Sequence, residues 1–384
     1  MKKSIILLGS TGSVGLQAAD VARAQNYDVR ALCANNNFIK VEEQIREFGA
    51  KCAAMTNIAA AAELKLRTRD LQVKIYSGID GICEMITDTQ ADFALNSIIG
   101  TPGLKPTLAT LESGKNLALA NKESLVIAGK IVMNTAKKNG LQITPVDSEH
   151  CAIAQCLRCG SKEEIKRLII TASGGPFFGK KREELGEISR EQALNHPTWK
   201  MGAKITIDSS TLMNKGFEVI EASHLFDVPG DKIDVIVHRE SIIHSMVEYV
   251  DNSVIAQLSV PDMRHCVQYA LELPERYQAV ISQLDLAKIS KLSFAEPDED
   301  TFIPLRLARE SLALGGAASA VLHSANEVAV TRFLEGKIRF VDIFDTIEYI
   351  CSEMKHASNS NTLDEILACV DTAAHMADEY LSRK

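Results

Sequence analysis

The stretch Ser4-Ile5-Ile6-Leu7-Leu8-Gly9-Ser10-Thr11-Gly12-Ser13-Val14-Gly15 passes from an apolar run into three glycines set three residues apart. Val14, Ala18, Val21 and Ala22 then keep helical spacing, so the order is strand, glycine turn, helix. Glycines let the backbone turn tightly and approach a pyrophosphate, whose charge is favoured by free N–H groups at a helix start. The G-x-x-G-x-x-G spacing is not the commonest dinucleotide fingerprint, and a plain turn fits it as well as a phosphate cradle does. A second strand, Val29 to Cys33, ends about twenty residues after Gly15, where a ribose-reading residue belongs. The chain offers Ala34-Asn35-Asn36-Asn37 there. With no Asp or Glu to hold a ribose 2′-hydroxyl, the position leans towards NADP, and the nearest cation is Lys40.

Strands and helices go on alternating through Phe93 to Ile99, a turn with Gly100 and Gly103, and Leu117 to Ala120 followed by Asn121-Lys122-Glu123-Ser124. Such alternation predicts a Rossmann-like parallel sheet with helices on both faces and ligands at the carboxyl ends of its strands. Lys122, just past one of those ends, reads either as a contact to phosphate or cofactor or as a solvent-facing lysine at a helix start.

Ile143-Thr-Pro-Val-Asp-Ser-Glu149 places two carboxylates at the end of an apparent strand. If the segment is extended, Asp147 and Glu149 share one side and Ser148 takes the other. Hard cations such as Mg²⁺ and Mn²⁺ prefer carboxylate oxygens, so the pair reads as a metal seat, with a solvated acidic turn as the plain alternative.

Composition narrows the classes. A chain of 384 residues exceeds one compact core, and 46% hydrophobic with 24% charged residues describes an ordinary globular protein. The net charge of −8 argues against broad nucleic-acid binding. Glycines interrupt the first apolar run before it reaches signal length, and no stretch is long enough to span a membrane, so the expectation is a cytoplasmic protein. Nine scattered cysteines predict reduced thiols. Cys151, Cys156 and Cys159 match an iron–sulfur spacing, yet no fourth partner stands at a matching distance, and the segment reads better as a helix.

From Ser148 the chain changes to polar and glycine-rich loops between strands at Leu168 to Ala172, Val235 to His238 and Val254 to Leu258. Four parts are expected: a nucleotide-binding domain at 1–147, an α+β domain carrying the chemistry at 148–272, a linker at 273–298 and a helical bundle at 299–384. Ser173-Gly174-Gly175-Pro176-Phe177 suits close approach to an anion, or a tight turn. His196-Pro197-Thr198-Trp199-Lys200-Met201-Gly202 holds the only tryptophan and lacks periodicity, as a loop that closes over a ligand would. Lys204 to Ile207 reads as a strand running into a helix. On the helix after it, Asn214, Lys215 and Glu218 line one face. They form either a wet i,i+3 ion pair or, with Ser209, a phosphate grip, in which case Glu218 completes a carboxylate set with Asp147 and Glu149.

Together these motifs, with Leu119-Ala-Asn-Lys-Glu-Ser-Leu-Val126, Pro145-Val-Asp-Ser-Glu-His150 and Met213-Asn-Lys-Gly-Phe-Glu218, resemble the 1-deoxy-D-xylulose 5-phosphate reductoisomerase family over nearly the whole chain. The resemblance implies a two-step reaction: a metal-assisted skeletal rearrangement by retro-aldol and aldol steps, then NADPH reduction to 2-C-methyl-D-erythritol 4-phosphate. It implies Asp147, Glu149 and Glu218 as ligands of Mg²⁺, Mn²⁺ or Co²⁺. Substrate contacts fall on Ser148, Glu149, Ser173, His196, Ser209, Asn214, Lys215, Glu218 and Met263, with Trp199 on the flap. Lys122 approaches substrate and nicotinamide and joins His196 and the carboxylates in catalysis. Gly9, Thr11, Gly12, Ser13, Val14, Asn35, Asn36, Asn37, Asn121, Lys122, Glu123 and Gly202 fall on cofactor positions. A homodimer is implied too. The chain departs from the family at Asn35-Asn36-Asn37, where a lysine often stands. Two rivals are less well supported. A semialdehyde dehydrogenase would need a nucleophilic cysteine at a strand-to-helix turn, and a nucleotide sensor would have lost a metal carboxylate.

Overall fold

Ser4–Leu8 is buried from end to end because it is the middle of a sheet covered on both faces. In the computed structural model, which describes residues 2–199 and 201–383, seven parallel strands lie in the order β4-β3-β2-β1-β5-β6-β7. They are β1 (Ser4–Leu8), β2 (Asp28–Ala34), β3 (Cys52–Met55), β4 (Lys74–Ser77), β5 (Phe93–Asn96), β6 (Asn116–Leu119) and β7 (Ile143–Pro145). Ile5 and Leu7 join one core with Ala18, Val21 and Val41; Ile6 and Leu8 join another with Ile82, Met85 and Ile86. A run that is apolar on both faces is the mark of a parallel strand between helices. The order reverses between β1 and β5, the place where such sheets bind ligands. At Gly15 a Cβ would stand 2.1 Å from the Gly9 carbonyl oxygen, so only glycine lets the helix Ser13–Ala24 start so close to the turn.

This first unit comprises Met1–Ser124, Lys130–Cys151 and Asp262–Ser282. The last segment was expected to be part of the second domain and its linker. Instead the helix Met263–Glu272 buries Val267, Ala270 and Leu271 in the core that holds Ile5 and Leu7, and Tyr27 donates to Glu272 at 3.0 Å.

The second unit comprises Leu125–Gly129, Ala152–Pro261 and Gln283–Lys384. Its sheet, ordered β11-β10-β8-β9, contains β8 (Ile165–Ala172), β9 (Ile233–Val237), β10 (Ile243–Tyr249) and β11 (Val254–Leu258). β8 and β9 run parallel, and β10 runs antiparallel to β8 and β11. The sequence hid β10 because both of its faces are largely buried, which removes the alternation of polar and apolar residues. The helices Pro304–Leu314, Ala318–Leu334, Phe340–Glu353 and Leu363–Ser382 cluster with this sheet and are not a body of their own. Phe340 packs edge-on against Phe333, Phe344 and Phe177, tying the bundle to the loop after β8. Thr362 and Glu365 form the expected capping box. Among the described residues, no helix is long and apolar enough to cross a membrane.

Candidate active site

In the first unit the carboxyl ends of β1, β6 and β7 carry the polar groups. The helix Ser13–Ala24 begins after Gly12 with no side chain capping it, leaving its first N–H groups for an anion. Behind the turn, Ser10 donates to Gln44 at 2.7 Å and Gln44 returns a bond to the Ser10 carbonyl at 3.0 Å. Gln44 was invisible in the sequence, where it looks like any polar residue of an amphipathic helix. Asn35, Asn36 and Asn37 are exposed after β2, and Asn37 caps the helix Phe38–Phe48.

Asp147 and Glu149 are not on an extended strand. β7 stops at Pro145, and the helix Ser148–Cys156 starts at once. The alternation predicted for this segment is therefore absent. The two carboxylates still converge, with ligand oxygens within 4.8 Å, because a helix start curls the chain: Glu149 N–H donates to Asp147 Oδ1 at 3.3 Å and Cys151 N–H to the Asp147 carbonyl at 2.8 Å. Ser148 donates to Glu149. Lys122 Nζ lies 2.7 Å from Asp147 Oδ2, both side chains under 10% exposed, so the wet-lysine alternative fails. Burial alone would raise the Asp147 carboxyl, but Lys122 and His150 outweigh it and hold it well below the usual carboxylate range. Asn121 fixes the approach to Lys122 by donating to the carbonyls of Ile98 and Gly100 and to Glu123, at 2.7–3.0 Å. Met263 is half-buried against Cys151 and Cys266, thiols that belong to an apolar cluster.

The second unit gathers hydroxyls, an imidazole and an ammonium. β8 delivers Ser173, whose Oγ is 2.9 Å from His196 Nε2; Ser209 Oγ is 3.2 Å from the same nitrogen. His196 Nδ1 accepts from the backbone N–H groups of Thr198 (3.2 Å) and Trp199 (2.9 Å), so in the neutral ring the proton sits on Nε2, facing the two serines. Desolvation first, then the charges of Lys215 and Arg239, lower this imidazole to about 4. Trp199 is half-buried, its ring 6.1 Å from that of His244, while Lys200 lies outside the described residues. Gly175, with φ +63°, leaves room for the backbone of Ser209, which a Cβ would meet at 2.9 Å.

Ala203–Ser210 is a helix, not the strand its Ile205-Thr206-Ile207 run suggested. Thr206 donates to the Gly202 carbonyl at 2.9 Å and Ile207 is fully buried, so tertiary packing overrides the β-branched preference. Asp208, at the buried side of this helix, takes Lys204 Nζ at 2.8 Å and Asn326 Nδ2 at 2.8 Å, a network the sequence did not reveal. After Leu212, held at φ +60°, the helix Met213–Phe226 begins. Here Asn214 and Lys215 both donate to Glu218, the lysine at 2.6 Å. With Glu218 1% exposed, this is a buried polar cluster and not the wet ion pair.

A doubly covered parallel sheet with a glycine turn defines the first unit as a Rossmann-like α/β nucleotide-binding fold that also carries the buried Lys–Asp pair, and the second unit carries the hydroxyl–imidazole–ammonium group. The family profile described as 1-deoxy-D-xylulose 5-phosphate reductoisomerase matches residues 5–129, that of its C-terminal domain residues 143–226, and a DXP reductoisomerase C-terminal domain residues 258–376. A 1-deoxy-D-xylulose 5-phosphate reductoisomerase of Clostridium botulinum is 48% identical over 386 residues, covering 100% of this chain and 99% of its own; that of Thermoanaerobacter pseudethanolicus is 50% identical over 368 residues, covering 95% and 96%. The solved Zymomonas mobilis enzyme in complex with NADPH superposes with a TM-score of 0.92 at 38% identity, covering 99% of each chain. A DOX-P reductoisomerase in complex with NADPH, fosmidomycin and magnesium gives 0.94 at 38% identity, covering 99% of this chain and 98% of that one. The chain belongs to the 1-deoxy-D-xylulose 5-phosphate reductoisomerase family.

Proposed function

We infer that this chain converts 1-deoxy-D-xylulose 5-phosphate into 2-C-methyl-D-erythritol 4-phosphate with NADPH and a divalent cation, a step of the non-mevalonate route to isoprenoid precursors. The observation that carries this is the match to reductoisomerases along the full chain, at 48% identity over 386 residues. Relatives solved with NADPH and with magnesium support the two cofactors.

The donor set suits a hard cation, since Asp147 is held ionised and Glu149 offers oxygens beside it. We assign Asp147, Glu149 and Glu218 as its ligands, with Mg²⁺ or Mn²⁺ preferred and Co²⁺ able to substitute. Bound, the cation supplies a Lewis acid for the oxygens of the sugar, and NADPH supplies hydride. Lys122, its Nζ 2.7 Å from Asp147 Oδ2, is the donor assigned to the oxygen that becomes a hydroxyl. His196, neutral, donates from Nε2 and sets the orientation of Ser173 and Ser209. With Asn214 and Lys215 these serines grip the phosphate, and binding energy remote from the reacting carbons is available to the transition state. Ser148 and Met263 complete the substrate wall, and Trp199 closes over it. The cofactor is assigned to Gly9, Thr11, Gly12, Ser13 and Val14, to Asn35, Asn36 and Asn37, and to Asn121, Lys122, Glu123 and Gly202. A cytoplasmic homodimer completes the proposal. Among the described residues β11 pairs only with β10, and Val254 is exposed on it, which suits strand-edge association.

Loss of NADPH absorbance with purified protein, substrate and Mg²⁺ tests the assignment, with EDTA-treated and NADH controls. Oxidation that requires both sugar phosphate and metal is the expected result; none, despite NADPH binding, would overturn it. Light scattering behind a sizing column tests the dimer.

A further inference from the structure

β8 and β9 are neighbouring parallel strands, with Ala172 opposite Val237, so the residues after each emerge at one end of the sheet. β8 leads into Ser173-Gly174-Gly175, and β9 into His238-Arg239-Glu240-Ser241. The second turn separates its own charges. Glu240 accepts from Ser293, at 3.3 Å from the backbone and 2.7 Å from the hydroxyl, and lies 3.1 Å from His238. His238, fully buried, donates to the Ser293 carbonyl at 2.9 Å, accepts from Ile242 N–H at 3.2 Å and stacks on Phe294. The acid is thereby committed to the 293–294 segment. Arg239 goes the other way. Its guanidinium donates to the Gly175 carbonyl at 3.2 Å and lies over the Phe178 ring at 5.2 Å. Among the described residues no carboxylate stands within ion-pair distance of Arg239, whereas the Lys215 ammonium is 2.6 Å from Glu218.

We propose that Arg239 is a second cation of the phosphate-binding end, adding its guanidinium to the grip of Ser173, Ser209, Asn214 and Lys215 while bracing the loop that carries Ser173. The proposal rests on the assignment of that grip given above. A guanidinium presents a fork that fits a phosphate's oxygens, and one with donors left over after a single carbonyl contact is placed to use them. Its influence already reaches the cluster, since Arg239 is one of the charges acting on His196.

The test is steady-state kinetics of wild type, Arg239→Gln and Arg239→Lys at saturating NADPH and Mg²⁺, on 1-deoxy-D-xylulose 5-phosphate and on the same sugar without its phosphate. Arg239→Gln should raise KM for the phosphorylated sugar about tenfold, the low end for a hydrogen bond to a charged group, with kcat within about twofold. Arg239→Lys, a point charge in place of a fork, should raise it about two- to fourfold. On the phosphate-free sugar, which lacks the group the guanidinium would meet, the loss in kcat/KM should be clearly smaller for both variants. A penalty of equal size on both sugars, or an unchanged KM, would overturn the proposal. Should Arg239→Gln fail to fold, Arg239→Lys decides alone by the same comparison. A wild type that binds NADPH but turns over neither sugar would defeat the functional assignment instead, so the two failures are distinguishable.

Discussion

Replacing His196 by Gln probes the electrostatics of the second unit. Burial, followed by the charges of Lys215 and Arg239, carries the imidazole from its ordinary 6.5 to about 4. Between those values the unfolded chain binds a proton that the folded chain refuses. Stability from this group is therefore complete above pH 6.5 and is lost as the pH falls towards 4. At about 1.4 kcal/mol per tenfold change in proton affinity, the full drop sets an upper bound of about 3 kcal/mol. The ring is half-buried, and solvent screening leaves about 1–2 kcal/mol, of which about 1 should be gone by pH 5. Gln keeps a donor and an acceptor but does not titrate. Urea unfolding of both proteins at pH 7.5 and pH 5 should show the wild type losing that amount relative to the variant, and the His196 ring resonances should titrate near pH 4. A ring that titrates at 6.5 or above, or an acid sensitivity identical in both proteins, would refute the reasoning.

Glu218→Gln should cut turnover by roughly 10²–10³ while NADPH affinity, measured by fluorescence, stays within about twofold; unchanged turnover at saturating metal defeats the ligand assignment. Phe340→Ala removes a fully buried ring that touches Phe177, so a loss of about 3–5 kcal/mol in unfolding free energy is expected together with a raised KM for the sugar phosphate, readable by melting and kinetics. Asn36→Lys restores a cation near the expected adenosine 2′-phosphate; on an exposed loop it should lower KM for NADPH by up to about fivefold and leave KM for NADH alone.

The nucleotide-binding half was legible because its physics is local. An apolar run buried on both faces, glycines where backbone meets backbone, and helical spacing after them lie within a few residues of one another. Asn214, Lys215 and Glu218 were legible for the same reason, since i,i+3 and i,i+4 spacing on a helix fixes their meeting. Their burial was not, because a wet and a dry ion pair look alike in sequence. In sequence Asp147 and Glu149 look like neighbours on one side of a strand, whereas it is a helix start that brings their oxygens together. The helix Ala203–Ser210 and the strand β10 were hidden by tertiary context, which overrode a β-branched run in one and erased alternation in the other. Arg239 carries no signal in the sequence, because its contact with the loop after β8 depends on β8 and β9 ending side by side, a register that sequence alone does not display.

The return of the chain to its first unit at Asp262–Ser282 bears on synthesis. Val267, Ala270 and Leu271 complete the core around Ile5 and Leu7, so the opening sheet stays unsealed on one face until residue 282 has left the ribosome. A fragment ending at Cys151 would carry the glycine turn and the Lys122–Asp147 pair and still expose that apolar face. The nascent chain is thus most open to aggregation, and to capture by chaperones that hold hydrophobic surface, during the interval between making β7 and making the helix Met263–Glu272.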